Sequence, residues 1–235
     1  MDLDEFHLFS ALHWLTLGCC VALPLAVVFL AGRIRENGAA MKWGRRGIAG
    51  GNLVIWIIAC GFWFHPDYFR IEQSLPLQFC NLANLIAFAA VGFRSRIARS
   101  LLYFWTFALC IWAFLTPFLT VGPSHPWFWV FWLYHLLIPL ATAWVMAVDR
   151  FRPTSDDLRS AIIVTASYAL LLAGLNAATG WNYGFVGPGN PGQPSLIDVL
   201  GPYPLRLVWI FLVATVLFIL LFLPWREPKN RVSGR

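Results

Sequence analysis

Residues 100–148 contain no Asp, Glu, Lys or Arg. This stretch is roughly twice as long as the ~20 apolar residues that one helix needs to cross a bilayer. Gly, Pro and Ser interrupt it at residues 122–126, where they favour a turn. The stretch therefore predicts two consecutive membrane-spanning helices. The composition agrees, since 59% of the residues are hydrophobic and 12% are charged, whereas about a quarter of a soluble domain is charged.

Apolar segments of this kind recur along the whole chain. They predict an all-α fold, a polytopic membrane bundle of seven transmembrane helices in one domain over residues 1–235. The acidic start of the chain lacks the basic region of a cleaved signal peptide, so we expect the first segment to be a retained span. A basic tail is expected at 224–235. The predicted spans are 8–31, 48–64, 75–93, 101–120, 127–148, 160–179 and 204–223.

Basic residues occur in every second connection between the predicted spans. They cluster at 33–46, 94–99, 150–159 and 226–235, and we expect the first cluster to form a basic loop. Connections rich in Lys and Arg face the cytoplasm. This predicts an N-terminus outside and a C-terminus inside. Because topology explains the net charge of +6, nucleic acid is not predicted as a partner.

The third predicted span starts with polar groups that a lipid-facing helix does not need. Gln78, Asn81 and Asn84 recur at every third residue, and Cys80 lies four positions before Asn84. At helical spacing these side chains share roughly one face, and burying them costs free energy unless each finds a partner. Pro76 suits the first turn of this helix. We therefore expect the polar face to point into the bundle, near the start of the helix.

Other polar groups share the outer half of the membrane with this face under the predicted topology. His13 lies in the outer part of the first span, and His135 lies ~13 Å from the outer end of the fifth. Together they predict an outward-facing polar pocket. Structural interpretations also exist, because histidines can be bonded core residues and asparagines can join helices. The remaining predicted pocket residues are Asn176, Asn182, Tyr183 and Asp198.

Cys80 and His135 are the candidate catalytic residues. An imidazole within hydrogen-bond reach of a thiol can remove its proton and later protonate a leaving alcohol. Backbone N–H groups and amides near the start of the helix can stabilise an acyl oxyanion, and the apolar surroundings suit an acyl chain. A cysteine can also be a small buried hydrophobic residue. That is our interpretation of Cys19, Cys20, Cys60 and Cys110.

Several segments of the sequence resemble a known family. They are LPLQFC at 75–80, LTP at 115–117, FWLYH at 131–135, NAATGWNY at 176–183 and SLIDVLGPYP at 195–204. Through them the chain resembles the YwaF-like bacterial seven-helix membrane proteins, which are distantly similar to the eukaryotic membrane acyltransferases that make polyunsaturated ether phospholipids. The resemblance implies that Cys80 accepts the acyl group and that His135 is its partner. It also implies an integral protein of a bacterial cytoplasmic (inner) membrane. The chain departs from the family pattern at Gln78, where a histidine is frequent, and at Phe118, where an acidic residue is frequent.

These features predict a membrane-embedded lipid acyltransferase or acyl-ester hydrolase. Its partners would be membrane lipids and a small-molecule or lipid substrate, and no cofactor is predicted. One alternative is a non-enzymatic transporter or a protein that binds lipids or small molecules. Another is a zinc site formed by Cys80, His135 and either His13 or His65, since zinc favours nitrogen and sulfur ligands. No two of these candidates have the short spacing typical of zinc ligands, so no metal is predicted.

Overall fold

The computed structural model of the chain describes residues 4–189 and 196–226. These residues form an all-helical fold without strands, and an isolated bridge pairs Glu5 with Val121. Residues 190–195 and most of the basic tail predicted at 224–235 lie outside the described residues. The longer helices are α1 (Ala11–Glu36), α2 (Gly38–Trp63), α3 (Phe79–Gly92), α4 (Arg96–Leu115), α5 (Pro126–Val148), α6 (Ser155–Thr179) and α7 (Arg206–Trp225).

All of these helices except α3 are long and apolar enough to cross a membrane. The prediction of an all-α membrane protein is therefore confirmed. Helix α3 is apolar but has 14 residues, which corresponds to about 21 Å, less than the ~30 Å hydrocarbon core. The predicted third span thus coincides with a helix only over its later part.

The expectation that Pro76 lies in the first turn of this helix is wrong. The backbone before α3 is extended at Leu75 and at Gln78. The Leu75 N–H donates a hydrogen bond to the Tyr183 hydroxyl at 3.0 Å. The Leu77 carbonyl accepts one from the Tyr168 hydroxyl at 2.7 Å. Because these tyrosines supply partners for the backbone, this segment need not form a helical turn to satisfy its polar groups.

The expected basic loop at 33–46 is also wrong, because most of this segment is helical. Asn37 alone separates α1 from α2. Its N–H donates to the Arg33 carbonyl at 3.2 Å, and its side chain accepts from the Ala40 N–H at 3.0 Å. One asparagine therefore ends one helix and starts the next. As a result, Lys42 and Arg45 lie in the early turns of α2.

Helices α4 and α5 form the centre of the bundle. In the most apolar stretch of each, 61% of the residues are buried, compared with 11% in α1 and 6% in α7. Helix α3 packs against α2, α4 and α5. Ala83, Ala87 and Ala90 on α3 are fully buried, and such small side chains let membrane helices approach closely.

Buried ion pairs join the helices at one end of the bundle. The Asp149 carboxylate at the end of α5 lies 2.5 Å from Arg45 of α2 and 2.7 Å from Arg99 of α4. Arg96 of α4 lies 2.6 Å from Asp157 of α6. These pairs bring the basic clusters at 33–46 and 94–99 together with the connection between α5 and α6 at the same end, as alternating topology requires. The side of the membrane that this end faces remains a prediction. We call this region the charged end.

Candidate active site

The start of α3 has no side chain that caps it, because the residue in the capping position binds elsewhere. The Oε1 atom of Gln78 accepts a hydrogen bond from the Gly184 N–H at 2.9 Å. The first helical hydrogen bond is donated by the Asn81 N–H to the Gln78 carbonyl. The N–H groups of Phe79 and Cys80 precede this bond, so they are not used by the helix itself. Backbone donors therefore flank Cys80 at the N-terminal end of α3.

The Cys80 thiol lies next to the His135 imidazole, which belongs to α5. The Nδ1 atom of His135 lies 2.8 Å from the Phe131 carbonyl oxygen. Because a carbonyl only accepts hydrogen bonds, Nδ1 carries the proton of the neutral ring and Nε2 has the lone pair. His135 is 8% exposed, and Cys80 is half-buried. The ring therefore has the tautomer that can accept a thiol proton at Nε2.

A second thiol, that of Cys110 on α4, lies next to Cys80. The two thiols interact with each other electrostatically, and neither cysteine forms a disulfide. Cys110 ends the π-helical turn Thr106–Cys110, a distortion that is frequent at functional sites. Interpretation of Cys110 as a small buried residue missed this contact. No sequence signal could reveal it, because it depends on how α3 packs against α4.

Amide and phenol groups surround the thiol on the same interface between α3 and α5. The Tyr134 hydroxyl donates a hydrogen bond to Asn81 Oδ1. Asn84 is fully buried, and its Nδ2 donates to the Cys80 carbonyl at 3.1 Å. Among the described residues, Asn84 Oδ1 has no hydrogen-bond partner. Tyr134 was not among the predicted site residues, although its position beside His135 in one predicted span was an available signal.

The predicted residues Asn176 and Tyr183 form a separate group beside the start of α3. Asn176 Nδ2 donates to the Tyr183 carbonyl at 2.8 Å, and Asn176 Oδ1 accepts from the Tyr183 N–H at 3.0 Å. The Tyr183 hydroxyl accepts from the Leu75 N–H and donates to the Ile71 carbonyl. Burial raises the pKa of the Tyr183 hydroxyl above its ordinary value. These residues hold the chain that leads into α3 and lie outside the thiol–imidazole contact.

Asn182 and Asp198 stabilise the loop between α6 and α7. Asn182 Oδ1 accepts a hydrogen bond from the Gly187 N–H at 2.9 Å. Asp198 forms an ion pair with Arg206, whose guanidinium also donates to the Gly187 carbonyl. Arg206 is 4% exposed, so this pair is shielded from solvent. We call the set Gln78, Asn176, Asn182, Tyr183, Asp198 and Arg206 the loop scaffold.

His13 contacts neither catalytic candidate directly. Its Nδ1 accepts from the Phe9 N–H at 3.0 Å, and its Nε2 donates to the Phe114 carbonyl at 2.8 Å. Both ring nitrogens are thus bound to the backbone, and the ring joins the start of α1 to the end of α4. Phe114 lies between the two histidines, with its ring 6.2 Å from that of His135.

The residues named for a zinc site are not gathered in one place. His65 lies at an exposed position, 3.5 Å from Asp67, and His13 is bound as described above. Across residues 4–189 and 196–226, no group of three or more His, Cys, Asp and Glu side chains is arranged to hold a metal ion. The zinc alternative therefore gains no support.

Comparison with known proteins identifies the family of this membrane protein. No curated protein matches the chain, and no solved structure does. The sequence model of the TMEM164 family, a family of membrane proteins, matches residues 8–222 and thus includes all seven helices up to the last turns of α7. The chain therefore belongs to the TMEM164 family.

Proposed function

We propose that this protein is a membrane-embedded acyltransferase or acyl-ester hydrolase that acts on lipid esters, with Cys80 as nucleophile and His135 as base. The observation that carries the proposal is the contact between the Cys80 thiol and a histidine whose Nδ1–H donates to the Phe131 carbonyl. That bond holds the ring in the tautomer that a base needs. A buried structural histidine would have partners for both nitrogens, as His13 has.

In the first half of the reaction, the thiol proton moves to His135 Nε2 and the sulfur attacks the ester carbonyl carbon. The tetrahedral intermediate collapses to a thioester on Cys80. The leaving alkoxide of the lipid takes the proton from the imidazolium and departs as an alcohol. In the second half, an acceptor alcohol or water gives its proton to His135 and attacks the thioester. The Cys80 thiolate then leaves and regains its proton.

The N-terminal end of α3 supplies the electrostatic stabilisation that this reaction needs. The N–H groups of Phe79 and Cys80 precede the first helical bond, and the Gln78 side chain is bound to Gly184 instead of capping them. Such donors can bind the oxyanion of a tetrahedral intermediate, and removal of one such donor typically costs about 10²–10³ in kcat. Gln78 would thus act indirectly, by leaving these donors available.

We also propose that α3 and the segment before it form a seventh membrane crossing. Helix α3 accounts for about 21 Å, and the four non-helical residues 75–78, which are extended at Leu75 and Gln78, add up to about 13 Å. Together they match the ~30 Å core. Extended backbone is tolerated at membrane depth where protein groups satisfy it, and the hydroxyls of Tyr168 and Tyr183 do so here. With seven crossings the charged end would face the cytoplasm of a bacterial inner membrane, with the N-terminus outside and Cys80 in the outer half.

Intact-protein mass spectrometry after incubation with mixed phospholipids tests the nucleophile. We expect an acyl-sized mass increase on the wild type that hydroxylamine removes. Cys80→Ala should show no adduct, and His135→Ala should form it at least tenfold more slowly, because general base catalysis contributes about 10²–10⁴. An equal adduct on Cys80→Ala would exclude the proposed nucleophile.

Cys60→Ala is the matched control for this experiment. Cys60 is a partly buried thiol on the neighbouring helix α2. Its replacement should leave the adduct unchanged. If Cys60→Ala lost the adduct while Cys80→Ala kept it, the acyl group would be on the wrong cysteine and the proposal would fail. The fold of each variant is checked by its melting temperature.

A second candidate function is the binding or transport of a polar ligand without chemistry. The observation that favours it is Asn84 Oδ1, which is fully buried and has no hydrogen-bond partner in the described part of the chain. A ligand that donates a hydrogen bond to this oxygen would offset the free-energy cost of burying it without a partner. Saturable binding that survives Cys80→Ala but is lost in Asn84→Leu would support this function, whereas a covalent thioester supports the enzyme.

A further inference from the structure

A long apolar groove lies on the outside of the bundle between α3, α4 and α6. Its volume is about 410 Å³. Leu82, Ile86 and Ala89 of α3 form one wall, and Val164 and Tyr168 of α6 form the other. Residues of α4 from Ile97 to Trp105 form the floor, and Ser95 lies at the end next to the charged end. The groove contains neither Cys80 nor His135.

The groove and the candidate active site use opposite faces of α3. Successive helical residues turn by about 100°, so Leu82 and Ala89 project about 160–200° away from Cys80. Asn84 and Ala87, by contrast, lie within about 40° of Cys80 and are fully buried. The groove is therefore distinct from the site proposed for acyl transfer, and a ligand in it would not reach the thiol.

The length of the groove matches one leaflet of a bilayer. Trp105 lies nine residues after Arg96, at the start of α4. This corresponds to a depth of about 14 Å at 1.5 Å per residue. Half of a ~30 Å hydrocarbon core is about 15 Å. The groove thus has the depth of a single acyl chain that enters from the surface at the charged end.

The mouth of the groove is positively charged. Ser95 is flanked in the sequence by Arg94 and Arg96, whose side chains are 59% and 61% exposed. Arg96 is paired with Asp157 at 2.6 Å, so the excess positive charge comes from the cluster that includes Arg94. Arg94 lies 3.8 Å from Asp149, but this carboxylate already binds Arg45 and Arg99 at shorter distances. Three arginines therefore share one carboxylate, and the cluster has two net positive charges.

We infer that the groove binds one anionic glycerophospholipid of the bilayer, with its phosphate at Arg94 and one acyl chain along α3 and α6. Charge complementarity at the mouth and the one-leaflet depth of the groove support this occupant over a neutral lipid. Juxtamembrane arginines contribute about 1 kcal/mol each to binding of anionic lipids, or about fivefold in affinity. The inference does not depend on catalysis at Cys80.

Native mass spectrometry of the purified protein with phosphatidylglycerol and phosphatidylcholine of identical acyl chains tests the headgroup. We expect the wild type to retain more phosphatidylglycerol than phosphatidylcholine. In Arg94→Gly the ratio of the two bound lipids should be about fivefold lower. Glycine is the suitable replacement because Arg94 has a φ of +56°, which glycine adopts without strain. Cys80→Ala should bind as the wild type does, which separates this inference from the proposed reaction.

Arg150→Gly is the matched control, because Arg150 has a φ of +55° and the same charge, but it is not next to a groove residue in the sequence, whereas Arg94 directly precedes Ser95. It should keep the preference. An equal loss in Arg150→Gly and Arg94→Gly would mean that general surface charge attracts the lipid, and this would overturn the site. Absence of any preference in the wild type would also overturn it.

The acyl chain is tested by filling the groove and by mapping it. Ala89→Trp should reduce binding of both lipids at least tenfold, while Ala22→Trp on the exposed face of α1 should not. If Ala89→Trp does not fold, crosslinking of the wild-type protein tests the groove instead. A phosphatidylglycerol with a diazirine on its acyl chain should crosslink to α3, α4 and α6. Crosslinks that are equally abundant on α1 and α7 would refute the groove as the site.

Discussion

At the charged end of the bundle, arginines from α2 and α4 share one buried carboxylate, whereas the loop scaffold at the start of α3 depends mainly on neutral groups. Asp149 is 2% exposed in its side chain and lies between Arg45 and Arg99. In the loop scaffold, Asn176 binds both backbone groups of Tyr183. The charged end is thus sensitive to the loss of one charge, and the scaffold to the loss of one hydrogen-bonding atom. The scaffold, not the charged end, positions the helix start that carries Cys80.

Asp149→Asn should have the largest effect on stability, because it leaves two arginines at the centre of the charged end without their counter-charge. Breaking a buried pair on one side typically costs about 3–5 kcal/mol. For a chain of this size, that corresponds to a melting temperature lower by roughly 10 °C. The measurement is thermal unfolding of the purified protein in detergent.

Asp156→Asn is the control for this prediction. Asp156 lies 3.7 Å from Arg159, but its side chain is 86% exposed, and exposed pairs contribute little. Its replacement should leave the melting temperature almost unchanged. If both variants behaved alike, the ion pairs at the charged end would not differ from surface pairs, and the contrast between the two regions would lose its basis.

Tyr183→Phe should have the next largest effect. The lost hydroxyl serves two partners, the Leu75 N–H and the Ile71 carbonyl. Leaving buried polar groups without partners costs about 1–3 kcal/mol, and we expect a value near the top of that range. If α3 is positioned by this residue, thioester formation at Cys80 should also slow. Thermal unfolding and the mass-spectrometric assay measure the two effects.

Tyr68→Phe is the control, since Tyr68 is 42% exposed and its ring stacks on Phe62, a contact that phenylalanine preserves. The pH dependence provides a second check. Because burial raises the pKa of Tyr183, its neutral form stabilises the fold below about pH 10, the ordinary tyrosine value. That contribution is lost as the pH rises through the higher folded-state pKa. Tyr183→Phe should lack this loss, and an unchanged alkaline profile would contradict the assigned role.

The membrane class and most helices could be predicted from sequence because each depends on local composition. The charge-free stretch at 100–148 predicted α4 and α5, and the turn at 122–126 separated them. The start of α3 was predicted wrongly, because the hydroxyls that bind the backbone of Leu77 and Leu75 come from tyrosines 91 and 108 positions away. Nothing near Pro76 in the sequence indicates these partners.

The sequence indicated the catalytic candidates of the site but not their contacts with each other and with Cys110. Cys80 and His135 are conspicuous within apolar segments, because ionisable groups inside spans are costly. Their contact, and that of Cys110 with Cys80, arises only when α3 packs against α4 and α5. The polar residues Asn176, Asn182, Tyr183 and Asp198 were predicted to share a pocket with the thiol, but they form the loop scaffold. A shared depth in the membrane was therefore not enough to predict which polar residues contact Cys80.

Gly44→Ala should destabilise the protein less than Asp149→Asn or Tyr183→Phe. It tests whether close packing of α2 against α5 stabilises the charged end. A Cβ atom on Gly44 would lie 2.6 Å from two ring carbons of Trp144. Overpacking typically costs about 1–3 kcal/mol, and we expect the lower part of that range, since the overlap involves only the edge of one ring. Gly47→Ala meets no atom within 4 Å and should instead stabilise α2 slightly, by up to about 1 kcal/mol.

Combining Gly44→Ala with Asp149→Asn tests whether helix packing and the ion pair are coupled. Gly44 adjoins Arg45, whose guanidinium lies 5.8 Å from the centre of the Trp144 ring. If α2 must approach Trp144 closely for Arg45 to reach Asp149, part of the cost of Gly44→Ala is a weakened ion pair. The double variant Gly44→Ala/Asp149→Asn should then lose less stability than the sum of the single variants, by about 0.5 kcal/mol or more. Strict additivity would mean that helix packing and the ion pairs stabilise the charged end independently.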